Sequence, residues 1–375
     1  MKNFKWAAAV VIIIVGIVVI LSTNKTNETV FPVLIPLTGG NAEQGEWYKR
    51  GFEVAQKEIE KYKGKKARIV FEDTKGDPKT AVSAYESLKA RYNFPAVFTW
   101  GSGVGIALTP LVNKDHIVQF GFAVASDAYS TPDDYTFRNF PPSSTEVQFI
   151  VSKMKDMGIS NVALYSINND YGKSIANAFK KQFAAAGENV VADETFNTGD
   201  TDFRSTIAKL KNTAPQAMFL VSYPAEGALI LKQSSEANFK TQVISSTAII
   251  GGKSFFDVAG TGAEGLIVSN NTPLFGSIKI SEEATLYQEE YKELFGVYPT
   301  IQDSVGSRSY DALKIVEKVL SGCPPQNADC LKDGLYKISD YQGAMGGPQS
   351  FDRNGDVTGK FSLIEVKDGK FVEKK

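Results

Sequence analysis

The residue types that carry chemistry are sparse in this chain and gather in a few turns. There is one histidine, His116, and there are two cysteines, Cys323 and Cys330, in 375 residues. So few ligands exclude a His/Cys zinc centre, and serine or cysteine hydrolysis would have to rest on His116 alone. His116 follows Lys114-Asp115 and precedes an apolar run, which places it at a helix end on the surface. No catalytic residue, metal or cofactor is assigned. Cys323 and Cys330 bracket Pro-Pro-Gln-Asn-Ala-Asp. In an oxidising compartment that spacing suits a local disulfide closing a turn, whereas an isolated pair of this kind is a poor metal site.

Four glycine- or tyrosine-bearing turns are the places for a ligand. Thr99-Trp-Gly-Ser-Gly-Val-Gly105 lets backbone N–H groups approach an anion at a helix N-terminus, with the Ser102 hydroxyl beside them. It lacks the third glycine of the dinucleotide fingerprint and an acid about 20 residues on. Gly101-Ser-Gly is not the hydrolase elbow either. The segment reads as a site for a carboxylate or as a plain turn. A second turn is Pro36-Leu-Thr-Gly-Gly-Asn-Ala-Glu-Gln-Gly45. Asn168-Asn-Asp-Tyr171-Gly172 and Ser222-Tyr223-Pro-Ala-Glu226 each put a tyrosine just past an apolar strand. Its flat face and hydroxyl suit the wall of a small-molecule cleft. Asp352, Asn354 and Asp356 approach a calcium loop, but Val357 and Leu363 stand where that loop needs Gly and Glu.

The elements that must position these turns alternate in type. Apolar strands are expected at 30–36, 67–71, 96–100, 117–120, 162–165, 190–196, 217–221, 243–245 and 265–268, with helices of 3.6 period between them. Asp77-Pro78 offers a helix cap and a first-turn proline. Continuous apolar strands separated by amphipathic helices predict parallel sheets covered on both faces. There are too many units for one sheet. The fold class is therefore α/β, with two doubly wound Rossmann-like lobes. Asn354-Gly355 near the end is a hairpin signal.

The chain is 43% apolar and 22% charged, which excludes disorder and simple fibres. A net charge of −1 leaves no electrostatic footprint for nucleic acid. Lys2 and Lys5 precede an uncharged run from Trp6 to Ser22. A basic start before an apolar run reads as an export signal, either cleaved or kept as a membrane anchor. The two lysines place the rest of the chain outside the cytoplasm, with residues 23–29 as a polar tether.

These turns, taken in order, resemble the leucine/isoleucine/valine-binding protein family, the type I periplasmic solute-binding proteins of ABC transporters. The carriers are Pro36-Leu-Thr-Gly-Gly…Gly45 leading to Gly51-Phe-Glu-Val-Ala55, Asp170-Tyr-Gly172 and Gly199-Asp-Thr-Asp-Phe203…Leu210-Lys211. Further carriers are Ala259-Gly-Thr-Gly-Ala-Glu-Gly265, Tyr310-Asp-Ala-Leu313 and Phe351-Asp-Arg-Asn-Gly-Asp356. The resemblance implies two lobes joined by three crossovers near Phe140, Asn271 and Gly346. Residues 1–29 are then signal or anchor plus tether, 30–140 with 272–346 form lobe 1, and 141–271 with 347–375 form lobe 2. The ligand would lie between the lobes and close them by a hinge motion.

Carried over one at a time, the resemblance makes Ser102 the donor to a ligand carboxylate and puts a backbone carbonyl at Ala123. A hydroxyl position falls on Ala125, with Ser126 adjacent. The first-turn aromatic falls on Gln44, and the cleft tyrosines are Tyr171 and Tyr223. The acid that meets an amino acid's ammonium falls on Thr247. An unpaired ammonium in a closed cleft costs several kcal/mol. Either Glu226 or Asp170 serves instead, or the ligand is not an α-amino acid. The family's disulfide in the first lobe is absent.

The function expected is an extracytoplasmic solute-binding protein that is monomeric, binds an amino acid, amide or organic acid, and delivers it to ABC permease subunits in the membrane. The alternatives are a membrane-tethered ligand sensor and an exported hydrolase using His116. With Thr247 at the ammonium position, leucine is expected to raise the melting temperature little. A large leucine-dependent rise would show that another group has taken over that role.

Overall fold

The computed structural model describes residues 28–63, 66–272 and 281–374. The first lobe is built on a sheet of β1 (Glu28–Ile35), β2 (Lys66–Asp73), β3 (Ala96–Trp100), β4 (Val118–Ala123) and β5 (Thr136–Arg138). Its spatial order is β2-β1-β3-β4-β5, and every pairing is parallel. All five residues of β3 are buried, as a strand covered by helices on both faces must be. The covering helices are α1 (Ala42–Lys63), α2 (Pro78–Arg91) and α3 (Ser102–Asp115).

The chain then passes into α4 (Ser143–Asp156) and a second sheet. That sheet holds β6 (Asn161–Ile167), β7 (Asn189–Phe196), β8 (Ala217–Val221), β9 (Gln242–Ser245) and β10 (Ile267–Asn270). Counted from its own first strand, this set repeats the order 2-1-3-4-5 of the first lobe. Its helices are α5 (Asp170–Ala185), α6 (Arg204–Asn212), α7 (Pro224–Glu236) and α8 (Lys253–Ala259). α9 (Glu282–Phe295) and α10 (Gly306–Leu320) return to the first lobe and pack on α1. The approach is close: a Cβ on Gly51 of α1 would stand 2.0 Å from the Gly306 carbonyl oxygen. After α11 (Ala328–Leu335) and the short pair β11 (Tyr341–Gln342) and β12 (Pro348–Gln349), the chain ends in β13 (Ser362–Lys367) and β14 (Lys370–Glu373). These add antiparallel to β10 at the edge of the second sheet.

One boundary differs from the sequence reading, which gave everything after Gly346 to the second lobe. Residues 348–357 pack on the first lobe. Phe351 meets Phe120 and Phe137 edge-on at 5.8 and 5.6 Å, and the Asn354-Gly355 turn carries Asp356 to Arg138. The buried Arg138 guanidinium donates to both oxygens of Asp356, at 2.7 and 2.9 Å. A buried arginine needs this counter-ion, so the third crossing comes after Val357.

Cys323 and Cys330 are joined. They tie down the start of α11, which Asn327 caps by accepting the Cys330 N–H at 2.8 Å. The sequence reading did not foresee this helix, nor α8 or β5. Among the described residues no helix is long and apolar enough to cross a membrane. The apolar run 6–22, read as signal or anchor, lies outside the described residues.

Asp311 of α10 fastens the β11–β12 segment. Its carboxylate accepts from the Ala344 and Met345 N–H groups at 2.7 and 3.0 Å and from Gln349 Nε2 at 2.7 Å. Burial nevertheless pushes its pKa up to about 7. The native state then holds more protons than the unfolded chain from about pH 4, the unfolded value, to about 7. This group's contribution to stability is complete below that window and is lost as pH rises through it. Asp311→Asn is therefore expected to flatten the fall in urea midpoint between pH 5 and pH 7.5. An unchanged slope would show that another group titrates there.

Candidate functional site

In each sheet the first and third strands diverge into helices on opposite faces, and α/β sheets hold ligands in the crevice beyond such a switch point. The first sheet presents the β1–α1 and β3–α3 junctions there, and the second presents β6–α5 and β8–α7. The two sets face each other across the interlobe cleft.

Ser102 opens α3 directly after Gly101, whose φ of +90° turns the chain out of β3 as an L side chain rarely permits. Glycine is a poor helix former, yet two glycines enter this helix at once. In the structure Ser102-Gly-Val-Gly105 is its first turn. The Ser102 hydroxyl accepts from the N–H groups of Ala125 and Ser126 at 3.2 and 3.1 Å. With its lone pairs so engaged, its hydrogen remains to be donated, beside the unpaired N–H groups that begin α3. The Ala123 carbonyl accepts the Gly101 N–H at 3.1 Å.

An aromatic stack crosses the cleft. Trp100 of the first lobe lies 5.6 Å from Tyr223 of the second, and Tyr223 stacks on Tyr171 at 5.5 Å. The Tyr171 hydroxyl pairs with Ser246 Oγ at 2.7 Å. Burial raises the pKa of both tyrosines, so both hydroxyls stay protonated. A cavity of about 40 Å³ remains between the lobes. That is room for a few waters, and an organic solute has to part the lobes or the stack to enter.

Seven of the residues singled out in the sequence for ligand contact line this cavity: Gln44, Ser102, Ala123, Ala125, Tyr171, Tyr223 and Thr247. Ser126 and Glu226 are not brought in. Ser126 Oγ accepts the Ala128 N–H at 3.3 Å and belongs to an outer groove with Asp170 and Lys173. Glu226 spends an oxygen on the Gly199 N–H at 2.9 Å. Neither Glu226 nor Asp170 therefore supplies a carboxylate to the lining.

The sequence reading missed Tyr48, Trp100, Phe140, Ala248, Ile250 and Val305. Two of these had a signal: Tyr48 is one helical turn from Gln44, and Trp100 ends a strand just before the glycine turn. Phe140 comes from the first crossing, and Val305 from the link between α9 and α10; no local pattern marks either as a cleft residue.

Behind Thr247 sits Glu146 of α4, fully buried. Its Oε1 accepts from Thr247 N and Oγ1 at 2.7 and 2.8 Å and from Ser269 Oγ. Its Oε2 has no partner. Burial raises its pKa, against the pull of those hydrogen bonds.

The expectation that a hydrolase would use His116 with Ser102 fails on geometry. Ser102 begins α3 and His116 caps its far end, about 20 Å away at 1.5 Å per residue. The His116 ring instead pairs through Nδ1 with the Tyr135 hydroxyl at 2.9 Å.

Residues 29–370 match the family model for periplasmic binding proteins. The chain belongs to the periplasmic binding protein family. A Leu/Ile/Val-binding protein homolog 3 of Brucella melitensis is 26% identical over 246 residues, 64% of this chain and 66% of that one. The chain thus matches just under two thirds of the length of that relative. A leucine binding protein of Thermotoga maritima superposes with a TM-score of 0.84 at 20% identity, covering 92% of this chain and 98% of the other. A solute binding protein of R. palustris, in complex with benzoate, superposes with 0.81 at 19% identity over 92% and 95%. The resemblance read from the sequence is upheld.

In this periplasmic binding protein the rim of the cleft is latched. Gln44 Nε2 donates across the lobes to the carbonyls of Ala248 and Ile250 at 3.0 and 3.1 Å. Glu43 accepts from Gly252 N and Ser254 Oγ at 3.3 and 2.6 Å. Each such bond contributes about 1 kcal/mol. The double variant Glu43→Ala/Gln44→Ala is expected to shift the ligand-free protein toward an open form, read as a larger radius of gyration by solution scattering. An unchanged radius would show that the latch does not hold the lobes.

Proposed function

We propose that this chain is the extracytoplasmic solute-binding component of an ABC importer of the branched-chain amino acid type, and that its solute is a small organic acid. The observation that carries the ligand class is the lining of the cleft. It presents a serine hydroxyl at a helix N-terminus and a wall of Trp100, Tyr223 and Tyr171, and none of its side chains is ionised. A carboxylate would take the Ser102 hydrogen and the first-turn N–H groups of α3. A branched or flat apolar body would lie along the aromatic wall. The benzoate held by the R. palustris protein is a ligand of this kind. Contacts from both lobes exist only when the cleft is closed, so binding shifts the population toward the closed form. Permease subunits at the outer face of the membrane would then read that form. The tethered-sensor alternative rests on the apolar run 6–22, outside the described residues.

A second reading, an α-amino acid ligand, is favoured by one observation: the unpartnered Glu146 oxygen behind Thr247. If Thr247 donates its hydroxyl hydrogen to Glu146, its lone pairs can accept from an ammonium, with the buried carboxylate behind it.

Calorimetry with leucine, its des-amino analogue 4-methylpentanoate, and benzoate separates these readings. The organic-acid reading expects saturable 1:1 binding of the carboxylates, tighter than leucine, and a loss of roughly tenfold or more in Ser102→Ala. Leucine binding tighter than its analogue, with the preference removed by Glu146→Gln, would decide for the amino acid. No saturable binding across amino acids, amides and organic acids would overturn the solute-binding reading itself.

A further inference from the structure

Arg308, near the start of α10, stands one layer behind the ligand cleft. It is 1% exposed, and its guanidinium lies over the Phe140 ring at 4.6 Å. Phe140 lines the cleft, as does Val305, just before α10. Tyr48, a further lining residue, lies within reach of the same charge. Burial raises its pKa against the pull of Arg308.

The bonds that hold this cation come from neutral groups. It donates to the Asn139 carbonyl, and to the carbonyl and Oδ1 of Asn271 at 3.4 and 2.9 Å. Asn139 in turn donates its side-chain amide to the Arg308 carbonyl at 2.9 Å. Asn139 belongs to the first crossing and Asn271 to the second, so the guanidinium is fixed where the lobes join. Such bonds orient a cation without cancelling its charge.

No carboxylate neutralises it either. Among the described residues none stands within salt-bridge distance of Arg308, and the sequence outside them contains neither Asp nor Glu. Asp311, one turn further along α10, has given its oxygens to Ala344 N, Met345 N and Gln349 Nε2. Glu146 spends its Oε1 on Thr247 and Ser269. Burial also acts unequally on the two signs of charge. It lowers the Arg308 pKa to about 10, which leaves the guanidinium charged at neutral pH. It raises the pKa of Asp311 and Glu146, which favours their neutral acids. The electric field behind this wall of the cleft is therefore positive. A buried cation without a counter-charge is costly, and an anion held nearby in a closed, low-dielectric cleft offsets that cost.

We infer that Arg308 selects the net charge of the solute: it is the counter-charge for a monoanion in the cleft and acts across the Phe140 ring without touching the ligand. Ser102 and the first turn of α3 hold a carboxylate by hydrogen bonds, which a neutral amide oxygen can also accept. The buried guanidinium responds to the charge alone. A zwitterion gains from it at one end and loses at the other. The inference rests on the organic-acid reading of the cleft and names the residue that makes the cleft prefer an acid to its neutral isostere.

Calorimetry on the full chain tests it, each acid beside its primary amide: benzoate with benzamide, and 4-methylpentanoate with 4-methylpentanamide. The acid is expected to bind roughly tenfold tighter than its amide. Arg308→Met should cut that ratio by about fivefold, and Arg308→Lys, which keeps the charge but not the bridging bonds, should hold it within about twofold of wild type. A hinge damaged only in its structure would weaken acid and amide alike. An unchanged ratio in Arg308→Met would therefore overturn the inference alone. Ser102→Ala keeps the test open if Arg308→Met does not fold. It should still favour the acid by about threefold, and loss of the preference there would assign charge recognition to the hydroxyl and overturn the inference. Absence of binding by either acid would bring down the organic-acid reading, and this inference with it.

Discussion

A strand that turns straight into a helix leaves its first backbone N–H groups without partners, and this molecule sets such junctions against each other across one gap. The helix starts at Ser102, Asp170 and Pro224 are each separated from the preceding strand by one or two residues. No loop intervenes to cover the exposed donors. The cleft chemistry follows from that economy of chain: hydroxyls and aromatic faces gather at helix starts, and an anionic group is the natural partner for what the backbone leaves open. The repeated strand order places the junctions in both lobes at equivalent positions, so the halves face each other with matched ends.

Much of this could be read before any coordinates. Apolar runs with helical stretches between them specified two doubly wound units, because a strand buried on both faces cannot alternate polar and apolar residues. Ser102, Tyr171 and Tyr223 were visible because glycine, asparagine and proline mark the turns that hold them. The short elements were not visible. β5 has three residues, Thr136–Arg138, and part of its cover is Phe351, near the far end of the chain. Nor did local sequence reveal Phe140, at the first crossing, or Val305, just before α10, whose place in the cleft is a property of how distant segments fold together.

The departures within the site are instructive for the same reason. Ser126 and Glu226 stood next to the right turns in sequence, yet each is engaged by a backbone N–H of its own lobe. For Glu226 the reason is helical: at a helix start successive side chains differ by about a quarter turn, so adjacency along the chain does not determine direction. Thr247 shows the opposite case. A small hydroxyl at the cleft wall leaves room for a carboxylate one layer deeper, at Glu146, which no spacing in the sequence connects to it. The wall and its electrostatic backing come from segments 101 residues apart.

The pairing of Arg138 with Asp356 spans 218 residues. A chain emerging from a ribosome or a secretion pore amino end first presents the edge of the first sheet long before the residue that neutralises it exists in the same space. The first lobe also waits for α9 and α10, which follow the whole of the second sheet in the chain. The second lobe's parallel strands are contiguous from β6 to β10 and can assemble earlier. The parallel strands of the later-encoded half therefore meet over the shorter span of chain, while the contacts that complete the amino-terminal half wait for segments delivered much later.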